Sequence, residues 1–457
     1  MMRAISLSEL QQPLQGKMVD GDATFSQVFT DSRKVVDGGL FVALEGEHFD
    51  GNDYIAEVGE KGAVAALVSR EADSGLPQLL VADTQRALGK LGAFNRDLYQ
   101  GPLVAITGSS GKTTAKNLIN GVLSRRGTTL ATEGNFNNEI GVPLTLLRLS
   151  PEHEFAVVEM GAANPGDIAW LCELGRPTVS VLLNAMPAHL EGFGSLAGVV
   201  QTKGEIFDAL AAGDTAVINA DQPWADQWRE RAGAATVLDF SLRGADRAAI
   251  AATGISSRGV AGTRFSASTP AGTIELQLQL PGEHNVANAL AAIAVGLACG
   301  LELREIKAGL ESVTPVAGRL SSLRAINGAL VIDDCYNANP GSARAAMDTL
   351  VASEGRTTLV MGAMRELGDD SAQMHRELGQ YAKAIGVQQF WGVGEELQEA
   401  VTAFGEHGRW FADCEQAAQA APAAFGTGDT VLIKGSRGAR MERVLKALVP
   451  VGPGEES

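Results

Sequence analysis

Cysteine is scarce and scattered in this chain. The 457 residues hold four, Cys172, Cys299, Cys335 and Cys414, with no Cys-x-x-Cys pair among them. That excludes a disulfide framework and a zinc site of the usual spacing, and it fits reduced thiols in a core. Basic residues are outnumbered: 37 Lys and Arg stand against 54 Asp and Glu, a formal charge of −17. Nucleic acid and anionic membranes need a broad basic face, so neither is an expected partner, although one basic pocket for a small phosphorylated ligand is compatible with this balance. Long apolar runs are also missing. No stretch could span a bilayer, and residues 1–20 lack the basic region followed by an apolar run that marks a secretory leader. The expected location is the cytoplasm.

What the chain does have is core material. Hydrophobic residues make up 45% of it, which at this length predicts about two to three domains. The most informative run is residues 101–114. A short β-branched segment stops at Gly108-Ser109-Ser110-Gly111-Lys112-Thr113-Thr114, and a helical pattern follows through Leu118, Ile119, Val122 and Leu123. Strand, glycine turn and helix N-terminus form a phosphate cradle: backbone N–H groups and the helix dipole attract an anion, Lys112 adds a charge, and a threonine hydroxyl can hold Mg²⁺. The run is shorter than the usual phosphate loop, because Ile106 occupies the place of the first glycine. A nucleoside triphosphate is the expected ligand.

Around this run the organisation is α/β throughout. Residues 1–100 predict a small α/β domain, with strands at 41–44, 63–68 and 78–82. Residues 101–314 alternate strands (103–107, 155–159, 179–183, 215–218) with helices. Their strands are apolar nearly throughout, which predicts a parallel sheet covered on both faces. Residues 245–279 predict an antiparallel excursion, and 285–299 an Ala-rich helix. Residues 315–457 restart the alternation, with strands at 329–333, 357–361, 389–392 and 430–434. The fold class is therefore α/β in three domains: a small N-terminal domain, a central P-loop-type parallel-sheet ATPase domain, and a C-terminal Rossmann-like doubly wound domain.

Several polar groups sit where strands end. Glu159 closes one strand of the central domain, where a carboxylate can orient Mg²⁺ or simply face solvent. His189 follows another, as a structural histidine or a metal ligand. Lys203, read alone, is a solvated helix lysine. Asn285 and Asn288 either cap the Ala-rich helix or offer amides to an adenine. The last domain brings Gly318-Arg319, Asp333 to Pro340, residues 361–368 and Lys434 to Gly438 to its strand ends. Asn339-Pro340-Gly341-Ser342 is compatible with a turn and helix cap, but the motifs together predict a substrate wall.

Taken in order, these blocks resemble the Mur ligases, ATP-dependent amide-forming enzymes of peptidoglycan synthesis, over essentially the whole chain. The shortened loop Gly108 to Thr114, Glu159-Met160-Gly161, Asn184 with His189-Leu190, residues 284–288 and Gly318-Arg319 carry the resemblance. Residues 135–143, 336–340 and 361–368 resemble the branch that adds D-alanyl-D-alanine to a UDP-N-acetylmuramoyl-tripeptide, and the Asp-Asn-Pro-Arg motif of the diamino-acid-adding branch is missing. The resemblance implies ATP and Mg²⁺ as cofactors, with two ions, and a monomer. It implies that ATP phosphorylates the tripeptide carboxylate and that the dipeptide amine attacks the acyl phosphate. It places Lys112, Thr113, Glu159 and His189 at the phosphates and metal, with Lys203 as a carbamylated metal-binding lysine. Asp31, Ser32 and Arg33 would hold UDP, and Asn285 and Asn288 the adenine. Arg319 and Asp333 would reach the nucleotide, and Asn138, Asn337, Asn339, Lys434 and Arg437 the peptide substrates. A hinge is expected at residues 314–318. Two rival readings are another ligase of the superfamily and a nucleotide-dependent switch without ligase activity.

Overall fold

The computed structural model describes residues 2–187 and 190–449. Among the described residues, three large sheets follow one another along the chain, with two two-stranded ones beside the first. The first is five-stranded, in the order Lys17–Val19, Gln78–Leu80, Ala65–Val68, Leu40–Val42, Val28–Phe29. Its last four strands run parallel. The second has nine strands. Six of them, Thr129–Ala131, Phe155–Glu159, Leu103–Thr107, Val179–Leu182, Thr215–Asn219 and Thr236–Ser241, form a parallel array. Ile250–Ser257, Thr263–Thr269 and Gly272–Leu278 extend it as an antiparallel meander, so the predicted excursion is continuous with the main sheet. The third is six-stranded and parallel except for its edge strand Ser321–Arg324.

Burial on two faces explains the apolar strands. Leu103 and Ala105 enter one core while Val104 and Ile106 enter the other. Alternate residues point to opposite faces, and here neither face is wet. Helix Lys112–Leu123 buries Ala115, Leu118, Ile119, Val122 and Leu123 against the second of these cores, the i, i+3, i+4 stripe of an amphipathic helix. Helix Glu283–Ala298 is buried almost all round, and its alanines let it lie close beside the phosphate-loop helix. The third sheet repeats the two-sided pattern: Ile332 and Leu432 face one core, Val331, Val431 and Ile433 the other. Among the described residues no helix is long and apolar enough to cross a membrane.

Candidate active site

All three units line one cleft of about 1220 Å³. Its floor is the phosphate loop. Gly111 has φ +83°, and a Cβ there would stand 2.8 Å from the Asn288 Oδ1, so only glycine suits the position on both counts. The helix behind it starts without a side-chain cap, which leaves its first N–H groups for a ligand. Asn184 braces the loop. Its carbonyl accepts from Ser109 N (3.1 Å), its Oδ1 accepts from Ser110 N (3.0 Å), and its Nδ2 donates to Ser110 O (3.1 Å). Ser109 Oγ donates to Met186 O (3.0 Å) and accepts from Met186 N (2.9 Å). Lys112 Nζ donates to Gly108 O (2.9 Å). Burial lowers its pKa, with Glu159 opposing and Arg319 adding to the shift.

Glu159 is 2% exposed and forms no ion pair with a described residue. Its Oε2 accepts from Thr113 Oγ1 (3.0 Å) and its Oε1 from Asn137 Nδ2 (2.8 Å). A buried carboxylate with no ion pair among the described residues, beside a phosphate loop, is a place a cation would neutralise, and the carboxylate with the Thr113 hydroxyl is a hard-oxygen set that fits Mg²⁺. Among the described residues no three His, Cys, Asp or Glu cluster as a metal site, so phosphate oxygens would have to complete the shell. His189 lies outside the described residues.

Lys203 is not solvated. It lies in the last turn of helix Leu196–Gly204, is 2% exposed, and its ammonium lies 5.7 Å from the Phe193 ring centroid. It lines the cleft and forms no ion pair with a described residue. Burial and the nearby Lys112 charge lower its pKa to about 7. The amide pair does not cap the helix. Gly282 caps helix Glu283–Ala298, and Asn285 and Asn288 lie inside it, both 5% exposed. Asn285 Nδ2 donates to Pro281 O (2.7 Å) and Asn288 Nδ2 to Asn285 Oδ1 (3.2 Å). Beside them, burial lowers the His284 pKa to about 4.

The third unit forms the opposite wall. Arg319 is held twice: its guanidinium lies 4.2 Å from the Tyr336 ring centroid, and Tyr336 N donates to Gly318 O (3.1 Å). Asp333 does not face the cleft. Its Oδ2 accepts from Gly318 N (2.8 Å) and its Oδ1 from Cys335 N (3.2 Å), so it shapes the arginine turn. The neighbouring Asp334 lines the cleft and pairs with the buried Lys434, which also donates to Asn337 O (3.0 Å). Asn339 lines the cleft while capping helix Pro340–Val351 through Ser342 N (2.8 Å). Asn138 lines it too, with its Oδ1 accepting from Gly141 N (2.9 Å). Asp31, Ser32, Arg33 and Arg437 are not among the lining residues. Asp31 and Arg33 pair with each other on the surface (2.8 Å), which lowers the Asp31 pKa to about 2. Asn137 and Asn184 carry no sequence signal beyond their place in the motifs at 135–143 and 184–190, and nothing in the sequence favours Asp334 over Asp333.

Residues 24–93 match the catalytic domain of the Mur ligase family, 106–296 the Mur ligase middle domain, and 318–437 the Mur ligase glutamate ligase domain. The UDP-N-acetylmuramoyl-tripeptide–D-alanyl-D-alanine ligase of Escherichia coli K12 is 44% identical over 449 residues, 98% of this chain and 99% of that protein. A crystal structure of MurF from Acinetobacter baumannii superposes with a TM-score of 0.91 at 35% identity, over 97% of this chain and 98% of the other. MurF of Thermotoga maritima, solved in complex with ADP, superposes with a TM-score of 0.82 at 30% identity, over 92% and 96%. By three matched domains and near-complete coverage, this chain belongs to the Mur ligase family.

Proposed function

We propose that this protein joins D-alanyl-D-alanine to UDP-N-acetylmuramoyl-tripeptide at the expense of ATP, giving UDP-N-acetylmuramoyl-pentapeptide, ADP and phosphate for peptidoglycan synthesis. The observation that carries the reading is the convergence in one cleft of a phosphate loop, the buried carboxylate of Glu159 and the cations Lys112, Lys203 and Arg319, none of them in an ion pair with a described residue. Phosphoryl transfer to a carboxylate brings anionic oxygens together, and fixed cations in a water-poor cleft favour that arrangement. The tripeptide carboxylate attacks the γ-phosphorus and ADP leaves. The dipeptide amine then attacks the acyl carbon, loses a proton, and phosphate leaves. Enclosure between three walls protects the acyl phosphate from water, and residues 314–318 are the hinge for closure.

In this reading residues 1–100 bind the UDP end, 101–314 bind ATP and 315–457 bring the dipeptide. Gly108, Ser109, Ser110, Gly111 and Thr114 cradle phosphate with Lys112, and Asn285 and Asn288 flank the adenine. Thr113 and Glu159 would hold Mg²⁺, which would supply positive charge at the phosphates, and His189 and a carbamylated Lys203 would hold a second ion. Asp31, Ser32 and Arg33 follow the C-terminal end of strand Val28–Phe29, beyond the cleft, where the uridine end extends. Asn138, Asn337 and Asn339 face the peptide substrates, Lys434 supports them through Asp334, and Arg437 lies outside the cleft wall. All three walls come from one chain, which agrees with a monomer, and four free thiols agree with the cytoplasm.

The test is Mg²⁺- and ATP-dependent phosphate release with UDP-N-acetylmuramoyl-tripeptide, with and without D-alanyl-D-alanine. Release that requires both, with the pentapeptide product seen by mass spectrometry, is expected. Release without either substrate points to the switch reading. Turnover only with another amine points to another ligase of the superfamily.

Tyr336 offers a narrower check. A cation–π contact contributes about 0.5–2 kcal/mol, so Tyr336→Leu is expected to lower kcat about three- to thirtyfold by loosening Arg319, while Tyr336→Phe retains most of it. Equal losses in both variants would assign the effect to the hydroxyl.

A further inference from the structure

We propose that Arg86 and Trp170 form an oxyanion-recognition site in the wall that the first unit gives to the cleft, and that it engages an anionic group of the UDP-linked acyl substrate, its diphosphate or a peptide carboxylate. The inference rests on the ligase reading above and adds to it a specificity site.

Gln85 and Arg86 are the only described residues of the first unit that line the cleft. Arg86 sits in the first turn of helix Thr84–Asp97, its backbone N–H bound by the Asp83 cap (2.8 Å). Its guanidinium carbon lies 4.3 Å from the centroid of the Trp170 ring. Most arginines outside the cleft pair with carboxylates, as Arg33, Arg126, Arg229, Arg356 and Arg376 do. Arg86 pairs with none of the described residues, although Glu173 lines the same cleft. A guanidinium held over an indole face without a carboxylate partner keeps N–H donors for a ligand, and its fork matches the two oxygens of a carboxylate or phosphate.

The stack is built into the joint between the first and second units. One helical turn beyond Arg86, a Cβ on Gly89 would stand 2.9 Å from Trp170 Cζ2, so the absence of a side chain lets the indole pack against the helix. Further along, Arg96 Nε donates to Gly175 O (2.7 Å) and its Nη2 to Arg176 O (3.1 Å). Arg176 returns a bond to Ala93 O (3.2 Å) and pairs with Asp97. These contacts fix helix Thr84–Asp97 against helix Asp167–Gly175, which carries Trp170. A group held this way loses little freedom when a ligand arrives.

Topology puts the stack on the substrate's path. Strands Val28–Phe29, Leu40–Val42, Ala65–Val68 and Gln78–Leu80 are parallel. The turn with Asp31 to Arg33 follows the first of them and Arg86 follows the last, so both lie on the C-terminal rim of the sheet, where open α/β sheets bind ligands. Arg86 thus shares the cleft with the phosphate loop and the sheet rim with the Asp31 to Arg33 turn.

The test is steady-state kinetics on the full-length enzyme. Arg86→Ala is expected to raise KM for UDP-N-acetylmuramoyl-tripeptide about tenfold or more, the size of a lost charge-assisted bond, with KM for ATP and D-alanyl-D-alanine within about twofold of wild type. Arg86→Lys keeps the charge without the fork and falls between. Because Arg86 is exposed, an unchanged unfolding midpoint separates recognition from folding. A tripeptide substrate with its internal carboxylate amidated tells the two sources apart: loss of the Arg86→Ala effect assigns the carboxylate, and its persistence assigns the diphosphate. Wild-type turnover with an unchanged KM in Arg86→Ala overturns this inference and leaves the ligase reading standing. A wild-type enzyme that does not turn over the UDP-linked tripeptide overturns both.

Discussion

Lys203→Ala is expected to lower kcat by about 10²–10³-fold, the cost of removing one fixed charge from a transition-state site, with little change in KM for ATP. A buried ammonium beside another ammonium is costly unless something compensates it. Lys203 has no carboxylate among the described residues, and burial together with Lys112 brings its pKa to about 7. Reaction with CO₂ requires the neutral amine, and the resulting carbamate is an anion that suits the neighbouring cations and a metal. A carbamate at Lys203 is therefore expected to gain occupancy as pH passes upward through about 7 and to be lost as pH falls. Activity should follow the same limb and shift with bicarbonate. ¹³C-bicarbonate exchange followed by NMR should give a carbamate signal in wild type and none in Lys203→Ala, and a short carboxylic acid should restore part of the alanine variant's activity. A wild-type protein with no carbamate signal and no bicarbonate response would leave Lys203 acting as a plain amine.

The same lysine sets a stability signature. Its folded pKa lies below the usual lysine value, so between about 7 and the unfolded value the unfolded chain binds more protons. Stability contributed at this position therefore increases with pH across that window and is lowest below it. Lys203→Met should remove that part of the slope in chemical denaturation measured under CO₂-free buffer.

How much of this was legible depends on how local each feature is. The strands Leu103–Thr107 and Phe155–Glu159 were read to the residue, because burial on both faces writes itself as an unbroken apolar run. Thr129–Ala131 and Ser321–Arg324 were not read: the first has three residues, and the second exposes alternate polar side chains at a sheet edge. The phosphate loop could be read from spacing because its backbone conformation depends on its own glycines. Asp333 and Asp334 are adjacent in a strand that ends in both, and successive strand residues face opposite ways. One position of register decides which carboxylate meets the cleft, and composition says nothing about register. Lys203 looked like any helix lysine, since its burial comes from elements packed against it in three dimensions. The Arg86–Trp170 stack joins residues in different units and has no sequence signature.

Glu159→Gln is expected to lower kcat by about 10²-fold or more and to raise the Mg²⁺ concentration needed for half-maximal rate, while leaving the unfolding midpoint nearly unchanged. The reason lies in the two bonds of the carboxylate. Glutamine can place its Oε1 on the Asn137 Nδ2 donor and its Nε2 on Thr113, whose hydroxyl turns from donor to acceptor. Every polar group stays satisfied, and only the negative charge is gone. Glu159→Ala differs. It leaves the Asn137 amide and the Thr113 hydroxyl without their acceptor in a buried setting, and an unsatisfied buried group costs about 1–3 kcal/mol. The alanine variant should therefore lose stability as well as rate. Comparing the two by calorimetry and by Mg²⁺ titration of the rate separates charge from packing. A glutamine variant with wild-type Mg²⁺ dependence would show that the carboxylate braces Thr113 and Asn137 and does not serve the metal.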